Sequence, residues 1–401
     1  MAKKTRRRNR SKFTKHRLRV EYAILRVLIS FFATRLYHFS SEKNLKKIQG
    51  PYLLLANHNM NLDSVLVGIA FKRHMFFVSS DHIMRKGMLS KLLIHVIAPI
   101  ARVKGKTDAY TVIQMIESLR AGNNVCMFAE GNRSFNGLTG EIPAVTAKVI
   151  KKAGSKVITY KIRGGYFTEP RWGFSLRKGK CTGEIVNIYE VEQIKNMSIE
   201  ELNAKIREDL YVDAYQDQET NPIRFKGKNR AVGIETAMFM CPQCKKIGTL
   251  KSAKNKISCS CGLDVNYTEY GMLENMPLYI NTLTKWDAFQ REELKNQISQ
   301  NMKEEEKVLF FDSKVHLYRV DNSHKKYKEE EGSLTAYVNR LECCGEVILI
   351  KDIPTFSIYG RNTVTFMYHN EHCELKGEKL FSALKYTYLF EIVNEILTRN
   401  K

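Results

Sequence analysis

Between residues 41 and 232, short runs of apolar residues alternate with stretches whose apolar positions recur every three or four residues. A run of five or six apolar residues bounded by polar or glycine breaks reads as a buried strand, and the second pattern as an amphipathic helix. Strands are predicted over 52–56, 75–79, 125–128, 157–162 and 184–189, and helices over 64–71, 109–120, 144–152 and 199–212. Glycine-containing or polar breaks at 131–140 and 164–165 separate them. Such alternation predicts an α/β layered domain.

The pattern changes after Arg230. Residues 238–270 form a compact cysteine-bearing segment, a helical pattern follows over 282–299, and strand-like alternations come at 308–311, 315–320, 334–338, 347–350, 356–359, 363–368 and 373–375. Leu389, Ile392, Val393, Ile396 and Leu397 then mark one face of a C-terminal helix. Several short strands closed by one helix resemble a pleckstrin-homology-like barrel, on architecture alone.

At the other end, Ile24, Leu25, Leu28, Phe31, Phe32 and Leu36 recur near helical spacing, flanked by arginines. Charge sharpens this picture. The chain of 401 residues has 65 Lys plus Arg against 42 Asp plus Glu, a net +23, and the first twenty residues hold ten of the basic side chains and no acid. A basic arm beside an apolar helix face predicts attachment to an anionic membrane surface. The plainer alternative is a solvated arm and a helix docked on the next domain. Residues 20–39 are interrupted by Glu21, Arg26 and Arg35, so their longest charge-free run is 27–34, short of the roughly eighteen apolar residues of a membrane span. The polybasic start also lacks a small-residue cleavage site and argues against a signal peptide. The expectation is a peripheral or monotopic protein on the cytoplasmic face of the cell membrane. A hydrophobic fraction of 43% excludes wholesale disorder.

The segment Leu54-Leu55-Ala56-Asn57-His58-Asn59-Met60-Asn61-Leu62-Asp63 carries the sharpest chemistry. An apolar strand delivers His58, and Asp63 follows five residues later at the start of a predicted helix. On one continuous helix the two side chains would point about 140° apart, so they meet only if the chain turns between them. The Asn-x-Asn stretch permits that turn, with Asn61 as a candidate helix cap. A carboxylate on one imidazole nitrogen leaves the other to take a proton from a hydroxyl. Taken alone, a His near an Asp is more often structural. About seventy residues on, Met127-Phe128-Ala129-Glu130-Gly131-Asn132-Arg133-Ser134 runs a strand into a glycine turn bearing an acid and an arginine. Glycine lets the backbone approach a ligand, and a guanidinium can grip two phosphate oxygens. A plain turn with a surface charge pair would read the same way.

Together and in this order the two motifs resemble those of the glycerolipid acyltransferase family, which contains the 1-acylglycerol-3-phosphate acyltransferases. The family's Asn-His-x-x-x-x-Asp is matched by Asn57, His58 and Asp63, and its Phe-Pro-Glu-Gly-Thr-Arg-Ser by Phe128, Glu130, Gly131, Arg133 and Ser134. Ala129 and Asn132 depart from that pattern. Arg102, with Lys104 behind it, fits the basic position the family places between the motifs. The resemblance covers roughly residues 45–215. It implies transfer of a fatty acyl group from an acyl carrier protein or CoA thioester to the hydroxyl of a lysophospholipid acceptor. His58 would be the general base and Asp63 its orienter. Asn57, Arg102, Lys104, Glu130, Gly131, Arg133 and Ser134 would bind the acceptor. No serine or cysteine nucleophile is required, and Cys126 and Cys181 read as core residues. Glycerol 3-phosphate or another lysolipid is the alternative acceptor.

Cys241-Pro-Gln-Cys244 and Cys259-Ser-Cys261-Gly262 are two close pairs that can converge on a structural zinc ion, as in a zinc ribbon. Cys343, Cys344 and Cys373 lack spaced partners. The division expected is therefore 1–40 as basic arm and amphipathic helix, 41–235 as acyltransferase domain, 236–273 as zinc-ribbon-like segment, 274–305 as helical connector and 306–401 as β-rich domain. A nucleic-acid binder would account for the basic arm and the ribbon but not for the two motifs, and a silent lipid-binding scaffold would not need both complete. The sequence argues against nucleic acid as a partner.

Overall fold

A computed structural model describes residues 12–42, 45–80, 99–102, 109–321 and 326–399. The basic arm through residue 11, and Lys104, lie outside the described residues. Helix α1 (Lys12–Tyr37) leads into strand β1 (Phe39–Ser41), followed by β2 (Tyr52–Ala56), α2 (Asp63–Phe71), β3 (Met75–Ser80), β4 (Ile100–Arg102), α3 (Ala109–Arg120), β5 (Asn124–Phe128), α4 (Val145–Ala153), β6 (Lys156–Arg163), β7 (Cys181–Tyr189) and α5 (Ile199–Leu210). These strands form one sheet in the order β1-β7-β6-β2-β5-β3-β4.

All five residues of β2 are buried, since it lies between β5 and β6 and runs parallel to both. A strand covered on both faces must be apolar throughout, which is why its sequence is a continuous run instead of an alternation. Tyr52, Leu54 and Ala56 pack with Leu66, Val67 and Ile69 of α2 and with Ala33 and Tyr37 of α1. Leu53 and Leu55 face the opposite way, toward Met115 and Leu119 of α3, Ile150 of α4 and Leu202 and Ile206 of α5. Ala56 pairs with Phe128 in register. The loops after β2 and β5 therefore leave the sheet side by side at the carboxyl ends of parallel strands, the usual place for a ligand crevice in such sheets.

The cysteine segment is a four-stranded antiparallel sheet of β8 (Leu250–Ala253), β9 (Lys256–Cys259), β10 (Asp264–Tyr267) and β11 (Leu273–Glu274), in the order β11-β10-β9-β8. Helix α6 (Leu283–Asn301) follows, its first turn capped by Thr282, whose hydroxyl accepts from the Lys285 amide at 3.2 Å. The chain ends in β12 (Phe310–Val320), β13 (Lys326–Ala336), β14 (Arg340–Cys343), β15 (Glu346–Leu349), β16 (Phe356–Tyr359), β17 (Thr363–Tyr368), β18 (Glu371–Gly377) and α7 (Ala383–Arg399). Its antiparallel order β15-β14-β13-β12-β18-β17-β16, closed by α7, is the expected β-rich domain with a final helix.

Two predictions change here. The run 308–311, from Phe310 on, and the run 315–320 belong to one strand, β12, whose register shifts between Asp312 and Val315 and so breaks the alternation. Strand β13 begins at Lys326, well before the predicted 334–338, because its first half is a charged, largely exposed segment with no apolar face to read.

The three parts share packing. One apolar core runs from Phe135, Tyr166 and Phe167 through Met238, Phe239 and Trp286 to Leu389 and Ile392. Within it the Asp287 carboxylate is buried, accepting from Asn136 Nδ2 at 2.8 Å, Tyr388 OH at 2.8 Å and Gln290 Nε2 at 2.7 Å. That one carboxylate joins the loop after β5, the connector helix and the C-terminal helix.

Candidate active site

His58 lies just past β2, and the chain turns before Asp63 opens α2. The turn brings the two side chains together, with Nδ1 of His58 2.8 Å from Oδ2 of Asp63. Asp63 is fully buried, and the same oxygen accepts from the amides of Asn59 at 2.6 Å and Met60 at 2.9 Å. Its position at the helix N-terminus adds a favourable dipole for a carboxylate. Because Oδ2 is acceptor-only when ionised, Nδ1 must carry the hydrogen, and the basic lone pair lies on Nε2. The imidazole stacks on Phe128 at 4.4 Å between ring centres, so the strand that carries the second motif also supplies a shelf for the first.

Asn61 does not cap α2. Leu62 occupies the cap position without a side-chain bond, and Asn61 instead donates its backbone amide and side-chain amide to Glu169. Glu169 also accepts from Tyr37 OH at 3.1 Å, linking this turn to the end of α1.

Several residues expected to touch substrate are occupied by the fold. Asn57 is buried and pairs twice with Ile162, its Nδ2 donating to the carbonyl at 2.9 Å and its Oδ1 accepting from the amide at 2.7 Å. It braces the turn on β6. Ser134 accepts from the Gly137 amide at 2.8 Å and has its hydroxyl 3.3 Å from Asn136 Oδ1, so it shapes its own loop. Glu130 accepts from the amides of His58 at 2.7 Å and Gly140 at 2.6 Å, and holds the histidine backbone in place. Burial pushes its carboxyl up to about 8, against the lowering effect of those two N–H bonds. The Ser134 amide completes the clasp by donating to the His58 carbonyl at 3.2 Å.

Gly131 has a φ of +69°, and a methyl group there would meet Arg102 Nη1 at 3.0 Å. The left-handed turn is what calls for glycine, since the exposed tip of Arg102 could give way to a methyl group. Arg133 is partly buried, and that desolvation lowers its pKa while Glu169 and then Asp63 hold it up. Its guanidinium makes no hydrogen bond or ion pair among the described residues. A partly buried cation with no contacting anion among the described residues, beside a hydrogen-bonded His–Asp pair, is a place for an anionic substrate.

Residues 37–163 match the acyltransferase family model. Over this segment the chain is similar to acyltransferases. The match spans about a third of the chain and includes both motifs and Arg102. A solved structure with partial similarity is the 1-acyl-sn-glycerophosphate (LPA) acyltransferase PlsC from Thermotoga maritima, at 20% identity and a TM-score of 0.39 over 50% of this chain and 77% of that one. No curated protein matches the chain.

Beyond the acyltransferase domain, the sulfur atoms of Cys241, Cys244, Cys259 and Cys261 lie within 4.8 Å of one another. The separations are 3.7 Å between Cys241 and Cys261 and 3.8 Å between Cys244 and Cys259. A tetrahedron with metal–sulfur bonds of about 2.3 Å has edges of about 3.8 Å, so this donor set fits a four-thiolate metal ion. Cys126 and Cys181 are buried core residues whose thiols are pushed up by that burial.

The sequence reading missed four contributors near the acyltransferase site: the Phe128 shelf, Glu169, Arg171 and Arg361. The first lay inside a quoted motif. The other three sit in no recognisable pattern and are brought in by tertiary packing alone.

Proposed function

We propose that the protein transfers a fatty acyl group from an acyl carrier protein or CoA thioester to the free hydroxyl of 1-acylglycerol 3-phosphate, giving phosphatidate. What carries the reading is the His58–Asp63 bond of 2.8 Å beside the partly buried Arg133, inside the segment that matches the acyltransferase family. Nε2 of His58 takes the hydroxyl proton as the acceptor oxygen attacks the thioester carbonyl. Asp63 stabilises the imidazolium that forms, as a carboxylate does in hydrolase triads. Collapse of the tetrahedral intermediate breaks the C–S bond, and the imidazolium returns its proton to the leaving thiolate. The products are an ester and a free thiol. Arg133 and Arg102 hold the acceptor phosphate. Glu130, Asn57 and Ser134 act one step back, fixing the loops that present these groups.

The reaction takes place at an anionic membrane surface on the cytoplasmic side. Supporting this, Val20, Ile24, Val27 and Phe31 of α1 are 45–60% exposed, and at 100° per residue they fall within a stripe about 60° wide. Ile24, Phe31 and Leu36 of the predicted face are exposed, and the Leu28 and Phe32 side chains lie outside those described. No helix among the described residues is long and apolar enough to cross a membrane. The cysteine cluster holds a structural zinc ion, since four thiolates would fill every coordination position and leave none for substrate.

The test is product analysis. Purified full chain is given labelled acyl-CoA or acyl carrier protein with 1-acylglycerol 3-phosphate, glycerol 3-phosphate or a lysophospholipid lacking a phosphomonoester. Labelled phosphatidate is the expected product; ester formation only on one of the other acceptors would reassign the substrate, and none at all would remove the reading.

A further inference from the structure

Arg171 is buried, and its guanidinium donates to three carbonyls from two distant segments of the chain. Nη1 bonds Arg133 O at 2.9 Å, Nε bonds Gly360 O at 2.6 Å, and Nη2 bonds Ile358 O at 3.3 Å. The tip of the β16–β17 hairpin is thereby clamped to the loop that carries Arg133. At that tip, Arg361 donates Nη1 to the carbonyls of Trp172 and Gly173 and lies 4.1 Å from the ring centre of Phe174. Its Nε and Nη2 have no hydrogen-bond partner among the described residues.

The bonds of Arg171 thus hold the loop that carries Arg133 and the hairpin tip that carries Arg361 against one another at one seam. Burial lowers the basicity of each arginine, and Arg133 lowers that of Arg171 and Arg361 further. Among the described residues the acids within reach are Glu169, engaged by Tyr37 and Asn61, and Asp63, engaged by His58, Asn59 and Met60. Like charges gathered in a partly desolvated seam are unfavourable unless an anion joins them. A fastening role alone does not require this, because Arg171 already ties the seam through neutral carbonyls.

We propose that Arg361, from the C-terminal β-domain, acts with Arg133 in holding the acceptor's phosphate, so that the acceptor site is built from two distant segments of the chain. The inference rests on the acyltransferase reading above and gives the β-domain a direct part in substrate recognition. It predicts that an acceptor lacking a phosphomonoester gains nothing from Arg361.

The experiment compares full-length wild type, Arg361→Ala, Arg361→Lys and Arg133→Ala. Steady-state kinetics use 1-acylglycerol 3-phosphate with acyl-CoA, and glycerol 3-phosphate binding is titrated directly. Arg361→Ala should raise the acceptor KM by roughly tenfold or more, with kcat and the donor KM held within about twofold, and weaken glycerol 3-phosphate binding in parallel. Arg361→Lys should recover part of the loss because it keeps the charge. If Arg133→Ala raises the acceptor KM and Arg361→Ala does not, Arg361 is only a fastener and the enzyme reading survives. A fastener is likewise indicated if Arg361→Ala moves kcat and both KM values together with a fall in Tm that Arg361→Lys does not repair. If wild type binds glycerol 3-phosphate, weakened by Arg361→Ala, yet transfers no acyl group, the anion site stands and the reaction reading falls. Wild type that binds no glycerol 3-phosphate overturns the inference.

Discussion

At the residue scale, the proposed chemistry hangs on one carboxylate oxygen. Oδ2 of Asp63 accepts from His58 Nδ1 and from two backbone amides. An asparagine cannot serve all three donors and fix the same tautomer. Asp63→Asn is therefore expected to cut kcat by about 10²–10⁴ while leaving the acceptor KM within a few-fold, as read by steady-state kinetics. Glu130 makes a separate prediction. Its folded pKa is raised from 4.5 to about 8, so its contribution to stability is fully present below the unfolded value and is lost as pH rises through the folded one. Between about pH 4.5 and 8 the wild type should lose up to about 1.4 kcal/mol per pH unit relative to Glu130→Gln. Urea denaturation of both proteins at pH 5 and pH 8 measures this, and parallel curves would contradict it. Gly131→Ala should cost about 1–2 kcal/mol in chemical denaturation from the positive φ.

At the element scale, legibility followed burial. Strand β2 and helices α3, α4 and α5 could be read from the chain because each presents a continuous run or a clear apolar face to the same sheet. The turn between His58 and Asp63 was legible for a stereochemical reason: the two could meet no other way. What failed were features decided by neighbours. Asn61 looked like a cap but found Glu169, more than a hundred residues away. The first half of strand β13 hid in a run of lysines and glutamates because it is held by pairing with β12, not by an apolar face of its own. Helix α1 is the element whose surface makes the sharpest prediction. Replacing Val27 and Phe31 with aspartate places charge on an exposed stripe, so Tm should hardly move. Sedimentation with anionic phospholipid vesicles should nonetheless weaken at least tenfold, an order-of-magnitude figure for two apolar side chains no longer buried in lipid. Unchanged sedimentation would move attachment elsewhere on the molecule.

At the scale of the whole molecule, the acyltransferase domain, the cysteine sheet and the β-domain share a core and a polar junction at Asp287. Removing that carboxylate leaves Asn136, Tyr388 and Gln290 donors unpaired inside the protein. Asp287→Ala should cost about 2–4 kcal/mol in chemical denaturation. Both tryptophans of the chain, Trp172 and Trp286, are buried in the same core. Chelation of zinc should therefore lower Tm by at least about 5 °C and shift tryptophan emission to the red, even though the cysteines are remote from either ring in sequence. Metal analysis should return one zinc per chain before chelation. This long-range wiring was the part of the site invisible in the sequence. His58, Asp63 and Arg133 sit in local motifs, whereas Arg171 and Arg361 acquire meaning only when a distant hairpin lands beside the loop after β5.

The central claim is that His58 drives acyl transfer as a general base, and one measurement bears on it most directly. Release of free thiol from an acyl thioester is followed in the presence of 1-acylglycerol 3-phosphate, for wild type and for His58→Ala with matched circular dichroism and Tm. The account predicts acceptor-dependent thiol release by wild type and a loss of about 10²–10⁴ in kcat for His58→Ala. A folded His58→Ala protein that keeps wild-type turnover would contradict it.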